Sequence, residues 1–222
     1  MTADREPGRP EAAFWEAELR RFLPDPAAAL TEARGYVCCP ICWVLGHVPF
    51  AYFGALARRW AEEEDLRRIV CASGGFCHHH TWQLHKLQSG HTVATAFLQV
   101  LLARLDDDLP PRPCPVCHLQ RLMDEDLLPV FVAWLSAPPA QEEYRALFGL
   151  CHPHYRAALA RDLPEATRRT LVEAERAQAA ALVADLRGFL AKGSPEERPS
   201  RTHDELYAPR RALLKTAGNE DR

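Results

Sequence analysis

The sequence lacks long apolar runs and long basic runs, and each absence excludes a class of protein. No segment approaches the roughly 18 to 20 apolar residues that a membrane-spanning helix needs. Lysine and arginine never occur more than two in a row, and the formal net charge is −3. A nucleic-acid-binding protein needs a basic face to neutralise phosphates. We therefore expect no membrane segment and no nucleic-acid partner.

The sequence also lacks the usual catalytic motifs. It contains no H-E-x-x-H, no glycine-rich nucleotide-binding loop and no G-x-S-x-G. Residues 1–10 are charged, contain proline and glycine, and lack the apolar stretch of a secretory signal. We therefore expect a cytoplasmic protein whose eight cysteines remain thiols or metal thiolates, because the cytoplasm is reducing.

A pattern of cysteine and histidine is present twice. C-P-x-C is followed by G-x-C-x-x-H, and the two copies are offset by 75 residues at the first element and by 74 at the second. Two side chains three positions apart can reach one ion, and a second pair completes a tetrahedral shell. The pattern predicts two Cys₃His metal sites, formed by Cys39, Cys42, Cys77, His80, Cys114, Cys117, Cys151 and His154.

The spacing alone allows two divisions of these residues between the two sites. The simpler arrangement closes each site within its own copy, so that residues 39–80 supply one site and residues 114–154 supply the other. The exchanged arrangement, in which each site takes one pair from each copy, stays open. Zn²⁺, two per chain, is favoured because closed Cys₃His sets are typical of structural zinc. An iron–sulfur cluster is the alternative.

Each pair is also predicted to begin a helix. Pro40, Pro115 and Pro153 suit the first turn of a helix, where the missing N–H costs nothing. The free N–H groups and the positive end of a helix stabilise thiolates, and the thiolate is the form that binds metal.

No convincing alternating strand pattern is found, so the sequence predicts an all-α protein. We expect a helical bundle of two pseudo-repeats, residues 36–110 and 111–193, each with a Cys₃His site. A helical extension (residues 1–35) precedes them, and a linker with a short helix and tail (residues 194–222) follows. Two helices are predicted to bury an apolar stripe: one buries Val93, Phe97, Val100, Leu101 and Leu105, and the longest buries Val172, Ala179, Val183, Leu186 and Leu190.

Two cysteines have no counterpart in the other copy. Cys38 and Cys71 are interpreted as core residues that act as small hydrophobes. A role for either as a substitute ligand or a reactive thiol stays open.

The paired motifs resemble those of an uncharacterised bacterial family, a helical domain of unknown function with CPxC and G-[F/L]-C-x-x-H motifs. The segments His203-Asp204-Glu205-Leu206-Tyr207 and Arg210-Arg211-Ala212 resemble the C-terminal part of that family. The resemblance covers roughly residues 36–218. The resemblance implies a bacterial source and supports the assignment of the same eight ligands. It implies no particular activity for this chain.

Three functions are consistent with the sequence. The first is a metal-stabilised helical protein that acts as an interaction or redox/metal-sensing module, with an unknown protein partner and an undetermined oligomeric state. The second is an iron–sulfur redox or electron-transfer protein. The third is an enzyme with structural metals and a pocket between the helical halves, which a ligand-sized cavity lined by Trp43, Phe50, Tyr52 or Trp82 would favour. A catalytic zinc keeps an open position for water, whereas each predicted site already has four candidate ligands, so the sequence does not favour catalysis by the metals themselves.

Overall fold

The computed structural model describes residues 12–106 and 113–219. All regular structure in this part of the chain is helical, which confirms the all-α prediction. Residues 1–10, on which the expectation of no secretory signal depends, lie outside the described residues. The helices are α1 (Ala12–Arg20), α2 (Pro26–Ala33), α3 (Pro40–Arg59), α4 (Glu64–Ala72), α5 (His78–Leu87), α6 (Gly90–Asp106), α7 (Pro115–Leu135), α8 (Pro138–Ala146), α9 (His152–Leu159), α10 (Glu165–Ala191), a short 3₁₀ helix (Arg198–Ser200) and α11 (His203–Ala217).

The described residues form two compact units. Unit 1 comprises the described part of the chain up to Pro24 together with His47–Met123, and unit 2 comprises Asp25–Gly46 and the chain from Asp124 onward. The division therefore falls inside α3 and inside α7. It differs from the boundaries expected from sequence, after residues 35, 110 and 193, because each unit combines segments that are distant along the chain.

Local capping explains where two of the helices of unit 2 begin. The carboxylate of Asp25 accepts a hydrogen bond from the N–H of Ala28 (2.8 Å), and Pro26 occupies the first turn of α2. α11 begins with a capping box, in which the side chains of Thr202 and Glu205 each accept a hydrogen bond from the other residue's backbone N–H. Such caps satisfy N–H groups that lack partners within a helix.

An aromatic cluster forms part of the core of unit 1. Tyr52 and Phe53, both buried on α3, contact Phe76 edge to face, with ring centroids 6.3 and 5.4 Å apart. Phe22 packs on Tyr52 in the same manner. Aromatic pairs in this geometry are stabilising beyond the area they bury. Phe76 immediately precedes Cys77, so packing in the core fixes the position of the backbone at this cysteine.

The predicted apolar stripes of two helices are only partly buried. In α6, Val100 is buried, but Leu101 and Leu105 are exposed. In α10, Val183 and Leu190 are exposed, and the buried face is instead formed by Thr167, Thr170, Leu171, Ala174, Glu175 and Leu182. Both helices carry apolar residues on more than one face, so periodicity alone does not identify the face that packs.

One helix in the described part of the chain is long and apolar enough to cross a membrane, judged by length and composition only. This helix is α3, and 67% of its most apolar window is buried inside the structure. The buried core helix of a soluble protein has the same properties, so α3 is weak evidence for a membrane segment and is compatible with a soluble protein.

Candidate metal centres

The eight cysteine and histidine side chains singled out by the motif lie in two groups. Site A consists of Cys39, Cys42, Cys151 and His154, and site B consists of Cys77, His80, Cys114 and Cys117. Within each group the possible ligand atoms all lie within 4.8 Å of one another. The pairing within each copy is therefore wrong, and the exchanged pairing, which the sequence left open, is the one found. Site A lies in unit 2 and site B in unit 1.

In site A the four possible ligand atoms surround a common centre. The Nδ1 atom of His154 lies 3.4 Å from the Sγ atoms of both Cys39 and Cys42, and 3.1 Å from that of Cys151. The Sγ atoms of Cys42 and Cys151 are 3.5 Å apart. All four residues are buried.

Site B has the same arrangement of atoms. The Nδ1 atom of His80 lies 3.2 Å from the Sγ atom of Cys77, 3.5 Å from that of Cys114 and 3.3 Å from that of Cys117. The Sγ atoms of Cys77 and Cys117 are 3.6 Å apart. Both histidines therefore present Nδ1, and not Nε2, to their thiols.

These distances match the coordination shell of a single ion. With bonds of about 2.3 Å to sulfur and about 2.0 Å to nitrogen, tetrahedral ligands lie about 3.8 Å apart for two sulfurs and about 3.5 Å apart for sulfur and nitrogen. The separations in sites A and B, 3.5–3.6 Å and 3.1–3.5 Å, are close to these values. Both sites could therefore hold a metal ion.

Every pair stands at the beginning of a helix, as the sequence predicts. Cys39 and Cys114 immediately precede α3 and α7, and their carbonyl oxygens accept the first hydrogen bonds of those helices. Cys77 and Cys151 are the N-caps of α5 and α9. Four helix N-termini thus point their free N–H groups and positive ends toward the two groups of thiols.

Glycines with positive φ explain the G-x-C part of the motif. Gly75 (φ 93°) and Gly149 (φ 81°) each stand two residues before a cysteine, in a left-handed conformation that favours glycine. At Gly149 a Cβ atom would also collide with the side chains of Glu175 and Gln178. The chain therefore turns sharply just before Cys151.

A buried carboxylate holds this turn in unit 2. Glu175 accepts hydrogen bonds from the N–H of Leu150 (2.7 Å) and from the hydroxyl of Tyr144, and it forms an ion pair with Lys215 (2.7 Å). Lys215 in turn donates to the carbonyl oxygen of Phe148 (2.9 Å). The network joins α8, α10 and α11 to the residue that precedes Cys151. No local sequence signal indicates it, because its members are distant along the chain.

In site A, a carboxylate contacts the histidine nitrogen that faces away from the thiols. The Nε2 atom of His154 lies 2.9 Å from Oδ1 of Asp124, on α7. Such a carboxylate fixes the tautomer and orientation of a metal-ligating histidine and makes it a stronger ligand. In site B, Nε2 of His80 is buried and has no hydrogen-bond partner among the described residues. The two histidines are therefore held differently.

We expect Asp124→Asn to weaken metal binding at site A by about 10- to 100-fold, because the amide orients His154 without increasing its basicity. The measurement is a competition titration with a chromogenic chelator. Site B in the same sample is the internal control, and its affinity should not change. Equal weakening at both sites, or at neither, would contradict the role of Asp124.

The charges of the thiols explain why a cation suits these groups. In site A, burial raises the pKa of Cys39, and the neighbouring thiols of Cys151 and Cys42 raise it further. In site B, the hydrogen bond with Cys117 lowers the pKa of Cys114 to about 3, while the same hydrogen bond and burial raise that of Cys117. One thiolate therefore suppresses the ionisation of its neighbours. A divalent cation among them would remove this repulsion.

The two remaining cysteines belong to neither group. Cys38 and Cys71 are both half-buried and free. Burial raises the pKa of Cys38 to about 11, with a smaller contribution from Cys42, and burial also raises that of Cys71. Both are therefore protonated thiols at neutral pH and poor nucleophiles.

Comparison with protein-family models, with curated proteins and with solved structures finds no match. Function is therefore inferred from the sites themselves.

Proposed function

We propose that this chain is a cytoplasmic helical protein that holds one Zn²⁺ ion in each site and acts as a redox- or metal-sensing module. Site A stabilises unit 2, and site B is the responsive centre. The observation that carries the proposal is the difference in exposure: all four residues of site A are buried, whereas site B contains the exposed Cys117 and the half-buried Cys77 and Cys114.

Several features support zinc and a cytoplasmic location. Three thiols and one imidazole within a single-ion shell are a usual set for structural zinc. An iron–sulfur cluster distributes its ligands over two or more iron ions, and ligands on different irons would lie further apart than the 4.8 Å that contains all four ligand atoms of each site here. All eight cysteines are free, as expected in a reducing compartment. The motif resemblance supports a bacterial source.

Elemental analysis with a visible spectrum tests the choice of metal. The proposal predicts two zinc ions per chain and a colourless protein. Iron with acid-labile sulfide and strong visible absorption would instead establish the iron–sulfur alternative.

An enzymatic role for the metals has less support. A catalytic zinc has three protein ligands and keeps its fourth position for water or substrate, whereas each group here already offers four ligand atoms. The metals are therefore assigned a structural and sensing role.

The sensing step uses the exposed thiol of Cys117 and the half-buried thiol of Cys77 beside it. The hydrogen bond with Cys114 and burial raise the pKa of Cys117, and a cation held in site B would offset both effects and keep Cys117 a thiolate. This thiolate attacks hydrogen peroxide, which breaks the O–O bond and gives a sulfenic acid and hydroxide. The thiolate of Cys77, 3.6 Å away, then attacks the sulfenic sulfur and displaces the second hydroxide. A disulfide forms, the peroxide is reduced by two electrons, and two protons convert the hydroxides to water. Only Cys114 and His80 remain as ligands, too few to retain the ion.

Zinc release under peroxide tests this step. We expect one equivalent of zinc to be released about tenfold faster than the second, because thiol oxidation follows exposure. Peptide mass spectrometry should locate the first disulfide at Cys77 and Cys117. The variant Cys117→Ala should lose the fast phase, and Cys38→Ala, which changes a thiol outside both sites, should keep it. Release of both ions at one rate, or first oxidation of Cys42 or Cys151, would refute the assignment.

A second role, as an interaction module, is supported by the surface of α6. Leu98, Leu101, Leu102 and Leu105 are all exposed, and Leu105 is 81% exposed. Their spacing of three and four residues forms an uncharged seam of the kind that packs against another helix. The simplest partner is a second copy of the chain, because such a seam can pair with itself.

Sedimentation over a range of concentrations tests this role. Self-association of the wild-type protein that Leu101→Glu abolishes would support it. Monomeric sedimentation of both proteins throughout would eliminate a second copy as the partner.

A further inference from the structure

Unit 2 contains a cavity of about 740 Å³. It lies among the segment before α3, the C-terminal end of α8 and one face of α11, and Trp43 is among its lining residues. None of the four residues of site A lines it. Its volume is typical of sites for small organic molecules, which range from about 300 to 1,000 Å³. The cavity is therefore large enough for a ligand and separate from the metal centre.

Aromatic rings line this cavity from two parts of the chain. Tyr36 stacks on Trp43, with ring centroids 4.6 Å apart and an interplanar angle of 23°. Tyr207, on α11, contacts the ring of His203, also at 4.6 Å. Tyr36 and Tyr207 are about half exposed, at 48% and 51%. Exposed aromatic rings that are already held by a neighbour offer flat apolar surface to a ligand at little cost in entropy.

The charges that line the cavity are mainly positive. Arg34, Arg210 and Arg211 line it, and Asp204 is the only carboxylate among the described residues that do so. Arg211 is already paired with Asp185 at 3.1 Å, and with Asp204 at 3.6 Å. Arg34 lies 3.5 Å from Glu143.

Arg210 differs from the other two arginines. It is exposed and forms no ion pair with any residue that the structure describes. A guanidinium group has a planar array of donors that matches a carboxylate or a phosphate group. The cavity thus combines aromatic surface with a cation that is available to a ligand.

We propose that this cavity binds a planar aromatic molecule that carries a carboxylate or phosphate group. Tyr36 and Tyr207 contact the ring, and Arg210 pairs with the anion. The site is independent of the sensing role proposed above, because neither its aromatic surface nor its cation belongs to a metal ligand. A neutral aromatic molecule would use only the ring contacts, and a simple anion would use only the arginine.

Titration of the ¹⁵N-labelled, metal-loaded chain tests the proposal. The probes are indole-3-acetate, which carries a carboxylate, and adenosine 5′-monophosphate, which carries a phosphate; indole and adenosine are their uncharged counterparts. We expect saturable shifts of the Trp43 side-chain N–H and of the backbone amides of Tyr36 and Tyr207. At least one anion should bind about fivefold or more tightly than its counterpart, since exposed ion pairs contribute modestly. The anion that does so identifies the preferred group.

Three variants assign the contacts. Arg210→Glu should weaken binding of the anion about tenfold and leave its neutral counterpart unchanged, since the change reverses an exposed charge. Tyr36→Ala should weaken both about fivefold through loss of ring contact. Arg187→Glu, at an exposed position on α10 outside the cavity, is the matched control and should change nothing. The same spectra report whether each variant is folded.

The proposal is overturned if neither anion binds saturably, if the neutral counterparts bind as tightly, or if Arg187→Glu weakens binding as much as Arg210→Glu. None of these outcomes depends on the metal content of site B. Failure of the ligand proposal and failure of the sensing proposal are therefore separate results.

Discussion

Replacement of Cys151 with serine is expected to reduce the metal content to one ion per chain and to lower the free energy of unfolding by about 5 kcal/mol. Site A is completely buried and joins Cys42 to Cys151, which are 109 residues apart. A metal that closes so long a loop removes much conformational entropy from the unfolded chain. Without it, thiols and an imidazole remain packed together in the interior without the cation that balances them.

The measurement is denaturant unfolding, with metal content determined on the same preparation. Cys38→Ser is the matched control, because it removes a thiol that is next to Cys39 in sequence and belongs to neither site. It should retain two ions and most of the stability. A Cys151→Ser chain that also retained two ions, with the stability of the control, would show that site A does not bind metal.

Replacement of Glu175 with alanine is expected to lower the free energy of unfolding by about 3–5 kcal/mol, which is the usual effect of removing one partner of a buried ion pair. Lys215 would lose its carboxylate partner, and the N–H of Leu150 and the hydroxyl of Tyr144 would lose a hydrogen-bond acceptor. Because Leu150 precedes Cys151, we also expect weaker metal binding at site A and no change at site B.

Glu173→Ala provides the comparison for this experiment. Glu173 lies on the same helix, α10, and is exposed, so its replacement should change stability by less than about 0.5 kcal/mol. Chemical denaturation of both variants measures the difference. If the two variants were equally stable, the buried network would have no structural role.

Much of the local structure around the sites could be predicted from the sequence. Proline after a cysteine indicated the helix starts at Pro40 and Pro115, and each of the four cysteine and histidine pairs was predicted to begin a helix. These features depend on a few neighbouring residues, and backbone sterics act over the same short range. The same spacing singled out the eight side chains that form the two groups.

The division of those eight residues into two sites could not be predicted. Cys39 and Cys42 could join either C-x-x-H pair, because both pairs have the same spacing and both begin a helix. What decides between them is which helix starts pack in the same compact unit, and this depends on contacts between distant segments. The loop of 109 residues closed by site A contains the whole of site B, an arrangement that no local pattern indicates.

The buried faces of the long helices also could not be predicted from the sequence. α10 has Leu190 on the predicted stripe, but that side chain is 74% exposed, whereas Glu175 is buried. A glutamate within a helix is normally taken as exposed, since burial of a charge costs energy unless it is paired. Its partner Lys215 is 40 residues away on α11, so only the tertiary structure explains the burial.

The central claim is that each site takes one pair of ligands from each copy of the motif, and metal content of two double variants tests it most directly. Cys39→Ser with Cys151→Ser damages site A alone, so the account predicts that one ion remains. Cys39→Ser with Cys77→Ser damages both sites, so it predicts that neither ion remains. The reverse result, no ion in the first variant and one in the second, would show that each site is closed within its own copy and would contradict the account.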